Sequence, residues 1–115
     1  MTDIRERTFE FAKRIVVLCR TLEHSSDVSR TLAKQLLRSG TSIGANVEEA
    51  KAGHSKPDFI AKLTIACKEA RETHYWLRLL AETDIIPESK LTSLTDEANQ
   101  LIAILTTIIK NARSN

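Results

Sequence analysis

Arg38-Ser-Gly-Thr-Ser-Ile-Gly-Ala-Asn46 sets Gly40 and Gly44 four residues apart inside a segment whose apolar residues recur at helical spacing. No proline or second turn signal accompanies them. A glycine in a helix interior costs about 1 kcal/mol relative to alanine. Two of them need either a compensating close approach of another backbone or an exposed helix that tolerates them. At about 100° per residue, Ile43, Val47 and Ala50 point one way, with Ser39 and Asn46 on the margin. Arg30, Lys34 and Arg38 fall together on the opposite side, as do Thr41, Ala45 and Ala52. The outer face is therefore basic in its first half and nearly flat in its second. The expectation is that Gly40, Thr41, Gly44, Ala45 and Ala52 let a helix press close, from the same bundle or from another subunit.

The flanking sequence predicts three more helices and no strand. The first runs from Ile4 or Arg7 to Leu22, with Phe11, Ile15, Leu18 and Leu22 in one stripe that Ala12, Val16 and Cys19 widen. Ser26 or Asp27 then caps the second helix, which carries Val28, Leu32, Leu36, Ile43, Val47 and Ala50 inward and ends near Ala52, before Gly53. Ser55-Lys-Pro-Asp58 combines an N-cap serine, an early proline and an acid, a variant of the capping box. The third helix follows with Phe59, Leu63, Ala66, Ala70, Thr73, Leu77 and Leu80 at alternating spacings of four and three, ending near Thr83-Asp84. The fourth repeats that rhythm with Leu91, Leu94, Ala98, Leu101, Leu105, Ile108 and Ala112. Four such helices on short loops predict an all-α, antiparallel up-down four-helix bundle. Ile102, Ile104 and Ile109 exceed a single seam, so they belong either to a wide core face or to a surface that another subunit covers.

At 115 residues the chain holds one core, so residues 1–115 are expected to form one domain. Hydrophobic residues make up 42% and charged residues 28%, which excludes a disordered composition. The net charge is +2, but residues 1–47 hold eight Lys/Arg against five Asp/Glu, and residues 48–115 hold nine against ten. Cys19 and Cys67 lie in apolar helical patterns, and the polar N-terminus Met1–Arg7 lacks the apolar core of a signal peptide. These features point to free thiols in a reducing, cytoplasmic compartment of bacterial style. The apolar runs are too short to span a membrane.

Several stretches together resemble the bacterial four-helix-bundle family named for 23S ribosomal RNA intervening sequences. They are Arg38–Asn46, Glu49-Ala50, the Ser55-x-x-Asp-Phe59 junction and Lys68-Glu-Ala-Arg-Glu-Thr-x-Tyr-Trp-Leu77, with Phe9-Glu-Phe-Ala12 and Gln35-Leu-Leu37 extending the likeness over essentially the whole chain. The resemblance implies an up-down bundle that assembles into a ring-like homopentamer. The accessory variability determinant of diversity-generating retroelements looks like a relative of the same form. That protein is basic and binds nucleic acid and a reverse transcriptase. The molecular function of the family itself is unsettled.

Chemistry-bearing motifs are sparse. None of the three histidines has a glutamate three residues before it, so the Glu-x-x-His pairs of di-iron bundles are missing. His-Glu-x-x-His, Cys-x-x-Cys and glycine-rich phosphate loops are missing as well. No enzyme, metal or cofactor is expected. Asn46, Glu49, Arg71 and Tyr75 are read as a structural polar network between the second and third helices. Lys68 and Glu72 are read as a surface ion pair, and Trp76 as a core or interface anchor. The functional lead is basic. Arg30, Lys34 and Arg38 form the stripe, and Lys13, Arg14 and Arg20 occupy an acid-free stretch of the first helix. Clustered cations bind phosphates without reading sequence, because counterion release supplies the affinity. The alternative is a solvated face balanced by acids from neighbouring helices. The chain thus reads as a homo-oligomeric accessory protein that binds RNA or DNA, with a scaffold that docks a protein partner such as a reverse transcriptase as its rival.

Overall fold

The computed structural model describes residues 3–53 and 55–114. Its elements are α1 (Ile4–Arg20), α2 (Asp27–Lys51), α3 (Lys56–Glu82), a 3-10 turn at Glu88–Lys90, and α4 (Thr92–Ser114). Side-chain caps start the first three. Asp3 accepts from the Arg5 N–H, Ser26 from that of Ser29, and Ser55 from that of Asp58 with Pro57 in the first turn. The result is an all-α four-helix bundle measuring 48 × 21 × 21 Å, with each helix packed on the next in sequence. No strand occurs among the described residues.

One apolar core draws on all four helices. Phe11 and Ile15 of α1, Leu36, Ile43 and Val47 of α2, Leu63, Leu77 and Leu80 of α3, and Leu101 and Leu105 of α4 are buried to 1% exposure or less. Val28 departs from the expected inward stripe and is 65% exposed. Eight residues turn a helix about 80° beyond two full revolutions, so Val28 sits well round from Leu36, with half-buried Leu32 between them. In the last turns of α4 the core position falls to Ile109, while Ile108 is half-buried along with Ile102 and Ile104.

The helix ends also differ from the simplest reading. Gly53 has no positive φ, and a Cβ there would lie 2.6 Å from a carboxylate oxygen of Asp58. The left-handed position belongs instead to Asp84, with φ 60°. Its N–H bonds the Ala81 carbonyl at 3.1 Å, and the Ile85 N–H reaches back to Leu80 at 3.1 Å, so α3 ends in a Schellman motif.

Candidate nucleic-acid and subunit surfaces

Gly40 and Gly44 both face α1. A Cβ on Gly40 would come within 2.9 Å of the Ile15 Cγ1 and Cγ2 atoms, and one on Gly44 within 3.3 Å of the Thr8 carbonyl oxygen. The backbones of α1 and α2 are therefore close enough that Gly40 is buried and Thr8 is 1% exposed, its hydroxyl returning to the Ile4 carbonyl at 2.9 Å. Thr41 and Ala45 lie beside them on the outer side, where with Gly44 they floor an apolar groove between α1 and α2. Phe9 and Val17 flank it and are 62% and 59% exposed. Ala52 is apart from this surface, exposed at the end of α2.

The polar tie between α2 and α3 uses residues other than those expected. Arg38 donates to Glu69 at 2.9 Å and also pairs with Glu72, which in turn accepts from the Trp76 indole N–H at 3.2 Å. Glu69 is buried, so the half-exposed Arg38 covers a carboxylate that water barely reaches. Beneath it the Thr73 hydroxyl lies 2.9 Å from that of Ser39. Asn46, Glu49, Arg71 and Tyr75 form no such network. Asn46 donates to the Ser42 carbonyl of its own helix, Glu49 is exposed, Arg71 lies on the α4 side of α3, and exposed Tyr75 stacks edge-on against Trp76 at 5.0 Å. The Lys68–Glu72 pair does not form, because Glu72 turns to Arg38 on the opposite flank of the helix.

Most of the expected cations have local partners. Arg30 pairs with Asp27 at 3.1 Å, and Lys13 with Glu10 at 2.7 Å while resting over the Phe9 ring. Arg14 reaches Ser93 at 2.7 Å. Arg20, Arg30 and Lys34 line one groove with Cys19, and Glu23 shares it. Burial pushes the Cys19 thiol up to about 11, so it stays protonated at neutral pH and supplies no thiolate there. On the far seam Arg7 clamps Glu97 through two bonds, at 3.0 and 2.6 Å, and that bonding raises the guanidinium pKa.

A second basic cluster was not anticipated. Lys68 and Arg71 of α3 and Lys110 and Arg113 of α4 line a groove that has no carboxylate in its lining. Each pair is spaced three apart, and the sequence has no acid from Phe59 to Lys68 or from Ala98 to Asn115. That double gap was the available signal for Lys68, Lys110 and Arg113, though not for Arg71, which lies between Glu69 and Glu72 in sequence, and only antiparallel packing brings its halves together. Among the described residues no group of three His, Cys, Asp or Glu side chains could hold a metal ion. No helix there is long and apolar enough to cross a membrane.

Fold and surface together define a small helical bundle with apolar and basic grooves along its sides. The chain belongs to the 23S rRNA-intervening sequence protein family, whose model matches residues 2–107. It is similar to a protein of unknown function from the S23 ribosomal protein family of Bacteroides thetaiotaomicron, known from a crystal structure. The two share 44% identity and a TM-score of 0.87, over 94% of this chain and 99% of that one. No curated protein matches the chain.

Proposed function

We propose that this chain is a non-enzymatic, homo-oligomeric bundle, pentameric as the family resemblance implies, that serves as a nucleic-acid-binding accessory protein in the cytoplasm. The observation that carries the assembly is the apolar groove between α1 and α2, where Phe9 and Val17 stand exposed beside the flat Thr41–Gly44–Ala45 surface. Large apolar side chains around a concave, small-residue floor are what a partner helix covers. In a ring such an interface is heterologous, one face meeting a different face of the next copy, and each copy repeats the same exposed cations. Repetition converts modest phosphate contacts into avid ones.

The rival is a scaffold that docks a partner enzyme such as a reverse transcriptase without touching nucleic acid. It gains weight from the carboxylates that hold Lys13, Arg30 and Arg38, since a paired cation has less to offer a phosphate. A salt titration of binding to generic single- and double-stranded nucleic acid separates the two. The accessory reading expects binding at low salt whose logarithm falls linearly with log salt. No binding at low salt would leave the scaffold.

A further inference from the structure

We infer that the nucleic-acid contact runs along the groove between α3 and α4, where Lys68, Arg71, Lys110 and Arg113 bind the phosphate backbone. This inference rests on the nucleic-acid reading above and assigns its site. Four cations border that groove, and none of them forms an ion pair among the described residues. The contrast with the α1–α2 side is direct. There Arg30 is committed to Asp27, and Glu23 lies in the same groove as Arg20 and Lys34, while Arg38, at the α2–α3 contact, is held by Glu69 and Glu72. A phosphate approaching that side must compete with carboxylates already in place. One approaching the α3–α4 groove meets cations that no carboxylate of the described residues pairs, and releasing their mobile counterions is what drives binding.

The walls of the groove suit the same ligand. Arg71 and Arg113 each set a planar fork there that matches two phosphate oxygens. The opposite end of the same seam is acidic, with Glu82, Glu88 and Asp96 around a separate hollow in which Arg78 is held by Glu82. The α3–α4 face is thus polarised along its length, which favours a strand lying at one end. Exposed aromatic side chains do not line the groove, so the contact is to backbone and not to bases.

The test is fluorescence anisotropy with a labelled single-stranded RNA of about 20 nucleotides at several salt concentrations, starting near 50 mM. Changing Lys68, Arg71, Lys110 and Arg113 together to Gln should lower affinity at least about ten-fold and flatten the log–log salt slope by about 3, near 0.7 per lost contact. The charge-keeping variant Lys68→Arg, Arg71→Lys, Lys110→Arg, Arg113→Lys should bind within a few-fold of the original chain. Circular dichroism should show both variants as helical as the parent, since all four side chains are exposed. Retained affinity in the Gln variant, with loss on changing Arg20, Arg30 and Lys34 to Gln, would overturn this site and leave the nucleic-acid reading standing. A parent chain that binds nothing at low salt would overturn both.

Discussion

At the scale of single residues, the most constrained positions are the two helical glycines. Helix propensity alone would reward alanine at Gly40 by about 1 kcal/mol. Packing opposes it, because the new methyl would lie 2.9 Å from two carbons of Ile15, a side chain with no exposed surface and no room to retreat. Overpacking of this kind costs about 1–3 kcal/mol for small additions and more for larger ones. Gly40→Leu should therefore lower the unfolding free energy in urea by about 3 kcal/mol or more, and Gly40→Ala by about 1 kcal/mol. An unchanged midpoint for both would show that the helices do not meet there. Gly44 presses on backbone, the Thr8 carbonyl, so relief at that point requires α1 itself to move.

At the scale of elements, the buried carboxylate of Glu69 shows how the α2–α3 contact is fixed in register. Its partner Arg38 is 51% exposed, so the pair is neither fully buried nor merely superficial. Removing the cation strands a desolvated charge, and Arg38→Gln should cost about 2 kcal/mol, below the 3–5 kcal/mol of a fully buried pair. Adding Glu69→Gln should recover part of the loss in a double-mutant cycle. Additive losses measured by urea unfolding would contradict the coupling.

The sequence carried the helices well, because caps at Ser26 and Ser55 and the four–three spacing of Leu63 to Leu80 are local signals. Arg38 was harder to read. Its own helix shows only a basic stripe, and the acids that claim it sit more than 30 residues away on α3. Val28 misled for the opposite reason, since a stripe extended by fours drifts out of the core within two turns. Asp84 carried no signal for its left-handed backbone, which glycine usually supplies.

At the scale of the whole molecule, the bundle has unlike sides. The α1–α2 side combines exposed Phe9 and Val17 with small side chains, and one end of the α3–α4 side carries a groove of cations with no carboxylate in its lining. The proposed function divides the labour between them, the first side for assembly and the second for phosphate. The small side chains Thr41, Gly44 and Ala45 of the first surface can be read within one helix. Lys68, Arg71, Lys110 and Arg113 lie some 40 positions apart in the sequence and become one surface only when α3 and α4 pack antiparallel. The measurement that bears most directly on this account is the solution mass by multi-angle light scattering at tens of micromolar protein, for the parent chain and for Phe9→Glu with Val17→Glu. The account predicts about 65 kDa for the parent, five copies of 12.9 kDa, and dissociation of the still-helical variant. A parent that runs as a clean 12.9 kDa monomer would contradict it.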